Sequence, residues 1–182
     1  MMHISFDEVN EFGPRIPYPR LSDEDGSIPR ICMAPTILQA LRAIPGGGDA
    51  VRNMQSVGMP VVVHAYYLHG CEIVDNSVVK KMVSDAIFTG ETWAVTKPAK
   101  VVRVDWELSN MLYSDTLTED GRSSWRVESA DLKRVPHQDN WMNLAKTVMP
   151  GREEEFLSKI PKHLSFRTLM QNLPADVTKA WM

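Results

Sequence analysis
The sequence predicts an α+β fold in one domain, with a small mixed or antiparallel sheet core over residues 1–108, a hairpin over 109–135 and a helical C-terminal extension over 136–182. Three observations predict this organisation. Short apolar or alternating runs of strand length, bounded by Pro and Gly, fill the first segment. Asp120-Gly121, a dipeptide that tight hairpin turns favour, sits between two runs of strand character. From Asp139 onward the apolar residues recur at helical spacing, punctuated by Pro150, Pro161 and Pro174.

Taken in order, His3 to Phe6 alternates and reads as a first strand. In Gly13-Pro14-Arg15-Ile16-Pro17-Tyr18-Pro19-Arg20 the fixed φ angles and missing donors prevent regular structure, and Asp23-Glu24-Asp25-Gly26 continues it as solvated loop. Pro29 to Ala34 is a buried strand. Thr36 is an N-cap for a helix carrying Ile37, Leu38, Leu41 and Ile44, which Pro45-Gly46-Gly47-Gly48 stops. The glycine triplet is not a phosphate loop, because such a loop leads into a helix that opens on Lys and Ser or Thr, whereas Asp49-Ala50-Val51 follows here.

Met59 to Leu68 is apolar almost without interruption, as in a central strand covered on both faces. A short helical segment spans Asn76 to Ala86. Glu91 opens a strand through Thr92-Trp93-Ala94-Val95, and Lys97-Pro98 turns the chain into another from Val101 to Leu108. There Val102, Val104, Trp106 and Leu108 are expected to face the core, and Arg103, Asp105 and Glu107 to face water. The hairpin joins Leu112–Thr118 with Arg122–Val127. Helices follow from Asp139, from Glu153 to Ile160, from Leu164 to Leu173 and from Ala175 to Trp181.

An apolar fraction of 43% and a charged fraction of 24% place the chain with globular proteins and away from disordered ones. A net charge of -3 lacks the excess of Lys and Arg by which proteins neutralise phosphates, so a nucleic-acid partner is disfavoured. The opening Met1-Met2-His3-Ile4-Ser5-Phe6 has no basic segment leading into a long apolar run, and no window approaches the roughly 20 apolar residues of a bilayer span. Neither export nor membrane insertion is expected. Two cysteines, Cys32 and Cys71, suit a reducing cytoplasm and read as small buried hydrophobes. No metal is expected, since His64 and His69 stand an odd number of residues apart in one strand and so point to opposite faces.

Several residues could carry chemistry. His3 lies in the first strand, Arg30-Ile31-Cys32-Met33-Ala34-Pro35-Thr36 leads into a helix containing Ala40-Leu41, and Thr89-Gly90-Glu91-Thr92-Trp93-Ala94-Val95 follows later. In that order these segments resemble the ADP-ribosyltransferase superfamily over residues 1–108, and the chain also resembles small phage and prophage proteins with a similar His-x-Ser-Phe opening and Pro-Arg-Ile-Cys segment. The resemblance implies a sheet core of that superfamily's fold and NAD as substrate, cleaved at the nicotinamide–ribose bond with transfer of ADP-ribose to an acceptor. His3 would hold the ribose and Thr36 would line the pocket. Glu91 would bond the ribose 2′-hydroxyl and stabilise the oxocarbenium-like charge as nicotinamide leaves. Arg30, with Arg15 and Arg20, could grip the phosphates bidentately. Thr89 stands where arginine-modifying members carry Glu or Gln, which implies another acceptor, NAD hydrolysis, or a fold kept for binding alone.

Each residue also has a purely structural reading. His3 could be a satisfied strand histidine, Thr36 an N-cap, Glu91 an exposed strand start, and the arginines loop charges paired to Asp23, Glu24 and Asp25. A function of another class is a non-catalytic phage or mobile-element protein that binds and inhibits a host protein. Its feature is the Met- and Trp-rich C-terminal stretch, with Trp141, Met142, Met149, Met170, Trp181 and Met182, because such residues are enriched at adaptable interfaces. Otherwise those side chains pack the helices onto the sheet.

Overall fold
The computed structural model describes residues 1–18, 25–117, 123–174 and 177. It is an α+β protein with two antiparallel sheets and several helices. The strands are β1 (His3–Ser5), β2 (Ile31–Met33), β3 (Val61–His69), β4 (Ile73–Val74), β5 (Thr92–Ala94), β6 (Lys100–Leu117) and β7 (Ser123–Val135). The helices are α1 (Ile37–Arg42), α2 (Gly47–Ser56), α3 (Asn76–Val79), α4 (Ala86–Thr89), α5 (Asn140–Val148), α6 (Glu153–Lys159) and α7 (Phe166–Asn172). One sheet has the order β1-β3-β6-β7 and the other β2-β5-β4. By its internal contacts the chain divides into two compact units, one of residues 1–5, 9–45 and 65–104, the other of residues 6–8, 46–64 and the described part of 105–182.

In the first unit β5 pairs antiparallel with β2 on one side (Cys32 opposite Trp93, Met33 opposite Thr92) and with β4 on the other (Val74 opposite Trp93). Successive side chains leave a strand on opposite faces. Ile31, Met33 and Ala94 therefore share one face, where Phe12 and Tyr66 complete a core cluster. Cys32, Trp93 and Val74 share the other, against Val79, Val83 and Ala86. Trp93 is wholly buried, and burying such a side chain contributes about 3 kcal/mol. Thr36 caps α1 as its type requires, its hydroxyl accepting from the Gln39 N–H at 3.2 Å. The helical segment expected over Asn76 to Ala86 is instead two short helices, α3 and α4, the second closed by Gly90 at φ 64°, where a side chain would crowd Pro35 at 3.0 Å.

In the second unit α2 packs on β7 and on α7, and α5 packs on α6. Asp7 accepts the Phe166 N–H at 2.8 Å at the start of α7, and burial pushes its carboxyl above the usual range. Trp141 stands edge-on to Phe166 at 5.5 Å, while Met149 and Met170 are buried. These C-terminal side chains thus pack the helices rather than present a surface; Trp181 and Met182 lie outside the described residues. Two further expectations are corrected. Gly46-Gly47-Gly48 does follow one helix, but it also opens the next, with Gly46 capping α2. The alternation read over Val101 to Leu108 fails: Val102 is exposed, and Asp105 is buried because it meets buried His64 of the neighbouring β3; the strand runs on to Leu117, irregular and paired with β7. The Asp120-Gly121 turn and the segment with Arg20, Asp23 and Glu24 lie outside the described residues. Among the described residues no helix is long and apolar enough to cross a membrane.

Candidate functional site
His3, Arg30, Thr36 and Glu91 all belong to the first unit. Arg30, which precedes β2, is almost wholly buried rather than a solvated loop charge, with 1% of its surface exposed. Its Nη1 donates to the carbonyls of Asp25 at 2.8 Å and Ile28 at 3.0 Å, and its guanidinium lies 4.2 Å from the centroid of the Trp93 ring. It therefore ties the incoming loop by backbone carbonyls. The Asp25 carboxylate accepts from Ser27 and Ile28.

Glu91 sits on the same face. Its Oε1 accepts the Trp93 indole N–H at 2.6 Å, its carbonyl accepts Asn76 Nδ2 at 2.9 Å, and the residue is 6% exposed. Burial pushes the Cys32 thiol well above its ordinary range; the Glu91 carboxylate, to which it is hydrogen-bonded, pushes the same way and the Arg30 guanidinium the opposite way. The thiolate is the nucleophilic form, so Cys32 is chemically quiet here. Arg30, Cys32, Glu91 and Trp93 form one buried polar cluster on this face of the small sheet.

His3 packs with the other core cluster. Its ring stands edge-on to Phe12 at 5.6 Å and 6.4 Å from Tyr66, two members of the cluster that covers Ile31, Met33 and Ala94. Nδ1 lies 2.9 Å from the Cys32 carbonyl, and since a carbonyl only accepts, Nδ1 carries the hydrogen. Thr36 is exposed at the start of α1 with its hydroxyl bonded to Gln39 through both the backbone N–H and Oε1. The structure thus brings Arg30 and Glu91 together around Trp93 and Cys32, and places His3 with Phe12 and Tyr66.

Burial holds the His3 imidazole below the ordinary value of 6.5, against the Cys32 carbonyl, which favours the protonated form; the Arg15 charge adds to the depression. A lowered folded value means that the unfolded chain takes up the proton first as pH falls. The contribution is therefore complete above the ordinary value and is lost as pH drops through it toward the folded value. Between about pH 7 and about pH 5 the urea midpoint of the native protein should fall more steeply than that of a His3→Phe variant. Parallel profiles would show that His3 titrates alike in both states.

The second unit holds a polar centre that sequence reading missed. His64 of β3 and Asp105 of β6, 0% and 2% exposed at their side chains, meet at 3.2 Å between Nδ1 and Oδ1. Asp105 Oδ2 accepts the Gln138 N–H at 2.7 Å, and buried Asn140 donates through Nδ2 to the Phe6 carbonyl at 2.8 Å and the Val62 carbonyl at 2.9 Å. These bonds fix the entry of α5 against the strands. The available signal was a histidine inside an apolar strand covered on both faces, which has to find a partner. Among the described residues no group of three or more His, Cys, Asp or Glu side chains is placed to hold a metal ion. Comparison with protein families, curated proteins and solved structures finds no match to this chain.

Proposed function
We propose that this chain acts by binding another protein and that it does not cleave NAD. The observation that carries this reading is that His3 packs with Phe12 and Tyr66 whereas Glu91 is bonded to Trp93, a member of the other core cluster of the first unit. A glycosidic bond breaking toward an oxocarbenium-like state needs a carboxylate aimed at the ribose from the same cavity as the group that orients it. Glu91 is aimed at an indole N–H, and its carbonyl is held by Asn76.

A binding role is supported by the surface of α4. Its outer residues Ala86 and Thr89 are buried, while Ile87 and Phe88 between them are 66% and 75% exposed. Two adjacent large apolar side chains projecting from one short helix suit an anchor that a partner's apolar pocket covers.

Incubation of the protein with NAD should release no nicotinamide above a buffer control, and Glu91→Ala should lower the melting temperature by several degrees, as loss of a buried hydrogen-bonded group does. Nicotinamide release by the native protein that a folded Glu91→Gln variant abolishes would restore the enzymatic reading.

A further inference from the structure
The chain ends its larger sheet on β7, and an edge strand presents backbone groups that another strand can pair with. The two halves of this edge are treated differently. From Glu128 to Arg134 the strand carries exposed Glu128, Asp131, Lys133 and Arg134, charges that discourage pairing with a strand that does not match them. The half from Ser123 to Trp125 carries no charge, and there α2 lies against the backbone. Asp49 Oδ1 accepts the Trp125 N–H at 3.1 Å, and Oδ2 accepts the Ser124 hydroxyl at 2.8 Å. Gly48 approaches so closely that a Cβ on it would lie 1.8 Å from the Trp125 carbonyl oxygen. Arg52, one turn on, places its guanidinium 3.6 Å from the centroid of the Trp125 ring.

Trp125 sits opposite Asp115 of β6, yet its N–H is taken by Asp49 and its carbonyl abuts Gly48, so both point to the outer side of the strand. The carboxylate stands where the carbonyl of a neighbouring strand would be. The need for this closeness explains a glycine inside the first turn of a helix, a position where it costs up to about 1 kcal/mol relative to alanine.

We infer that α2 is a guard on the β7 edge, and that the edge it covers is a strand-pairing surface for a second copy of this chain. The sequence of the strand names the second copy as the occupant. In an antiparallel pairing of two β7 strands about a two-fold axis at Val127, Arg126 of each copy falls opposite Glu128 of the other, and both residues are exposed. Two opposite-charge cross-strand pairs then form at once. Held by α2, the edge cannot make them.

The test is an Asp49→Ala variant compared with the native protein by size-exclusion chromatography with light scattering over a range of concentrations. Loss of two bonds to a carboxylate makes each edge about tenfold easier to open, and since both copies must open the dimerisation constant should tighten by the square of that factor, about a hundredfold. In the same background Arg126→Glu should weaken the dimer back toward the native value, and Arg126→Glu with Glu128→Arg should restore it. If Asp49→Ala fails to fold, Asp49→Asn, which keeps the size and one acceptor, should show the same tightening to a smaller degree. A folded Asp49 variant no more dimeric than the native protein overturns the inference, as does a dimer indifferent to the charge swap.

Discussion

Replacing His64 with leucine should destabilise the protein by about 3–5 kcal/mol, because it leaves the Asp105 carboxylate in the interior without its imidazole partner. The pair meets at 3.2 Å with almost no exposure on either side, and Asp105 keeps only part of its compensation through the Gln138 N–H at 2.7 Å. A charge in such surroundings costs several kcal/mol when its counterpart is removed, whereas removing both members costs much less. The double variant His64→Leu with Asp105→Asn should therefore be more stable than His64→Leu alone, with a coupling of at least about 1 kcal/mol in a double-mutant cycle. The pH dependence has a defined sign. In His64→Leu the burial of a carboxyl that has lost its imidazole partner favours its protonated form, so the folded state is favoured at low pH and loses that advantage as pH rises. The deficit against the native protein should thus shrink on acidification. Thermal melts read the effect as a drop of roughly 6–20 °C for a chain of this size. A His64→Leu protein as stable as the native one at neutral pH, or a double variant no better than the single one, would show that the pair is not ionic in the fold.

How much of this was legible in the sequence follows from the range of the interactions. Thr36 and the helix after it are local: cap and apolar spacing lie within a few residues, and the cap forms as read, with the helix ending at Arg42 before Ile44. The buried character of β3 was legible for the same reason, since an apolar run of strand length needs no knowledge of its neighbours. Asp105 was not, because alternation distinguishes core from water only where one face of a strand is wet, and β6 is flanked by β3 and β7 and covered in its middle. The partnership of His64 with Asp105 is set by which strands become neighbours, a tertiary fact. Gly48 illustrates the converse: glycine in the first turn looked like a helix stop, and its reason is the backbone of a strand far along the chain.

The same distinction governs the candidate site. The order of His3, Thr36 and Glu91 along the chain was correctly expected to place His3 and Glu91 in or beside strands and Thr36 at a helix start. Order does not say which face of a sheet a side chain leaves. His3 falls in with Phe12 and Tyr66, Glu91 with Trp93, and that difference in surroundings separates a shared cavity from two core clusters. Glu91 also shows why a glutamate beside a strand is an ambiguous signal. Such a residue is unusual there, and either a ligand or a buried donor explains it. Here the donor is the indole two residues away.

The cluster around Trp93 makes a further large effect expected. Arg30→Met keeps the length and apolar stem of the side chain but removes the guanidinium, with its bonds to the Asp25 and Ile28 carbonyls and its contact with the Trp93 ring at 4.2 Å. Hydrogen bonds from a charged donor contribute about 1.5–3 kcal/mol each, and a desolvated cation–π contact about 2 kcal/mol. Since these are not additive, a loss of roughly 3–5 kcal/mol is expected. Arg30→Lys should recover little of it, because one ammonium cannot fork to two carbonyls and stack on an indole together. Removing the positive charge also withdraws a counterpart from the Glu91 carboxyl, which shares the neighbourhood of Cys32 with Arg30. Arg30→Met combined with Glu91→Gln should therefore cost less than the sum of the two single changes. Urea unfolding followed by far-UV circular dichroism checks all four proteins. An Arg30→Met variant within about 1 kcal/mol of the native protein, or strictly additive single and double changes, would show that the guanidinium is a passenger of the fold rather than the group that joins the loop before β2 to the core.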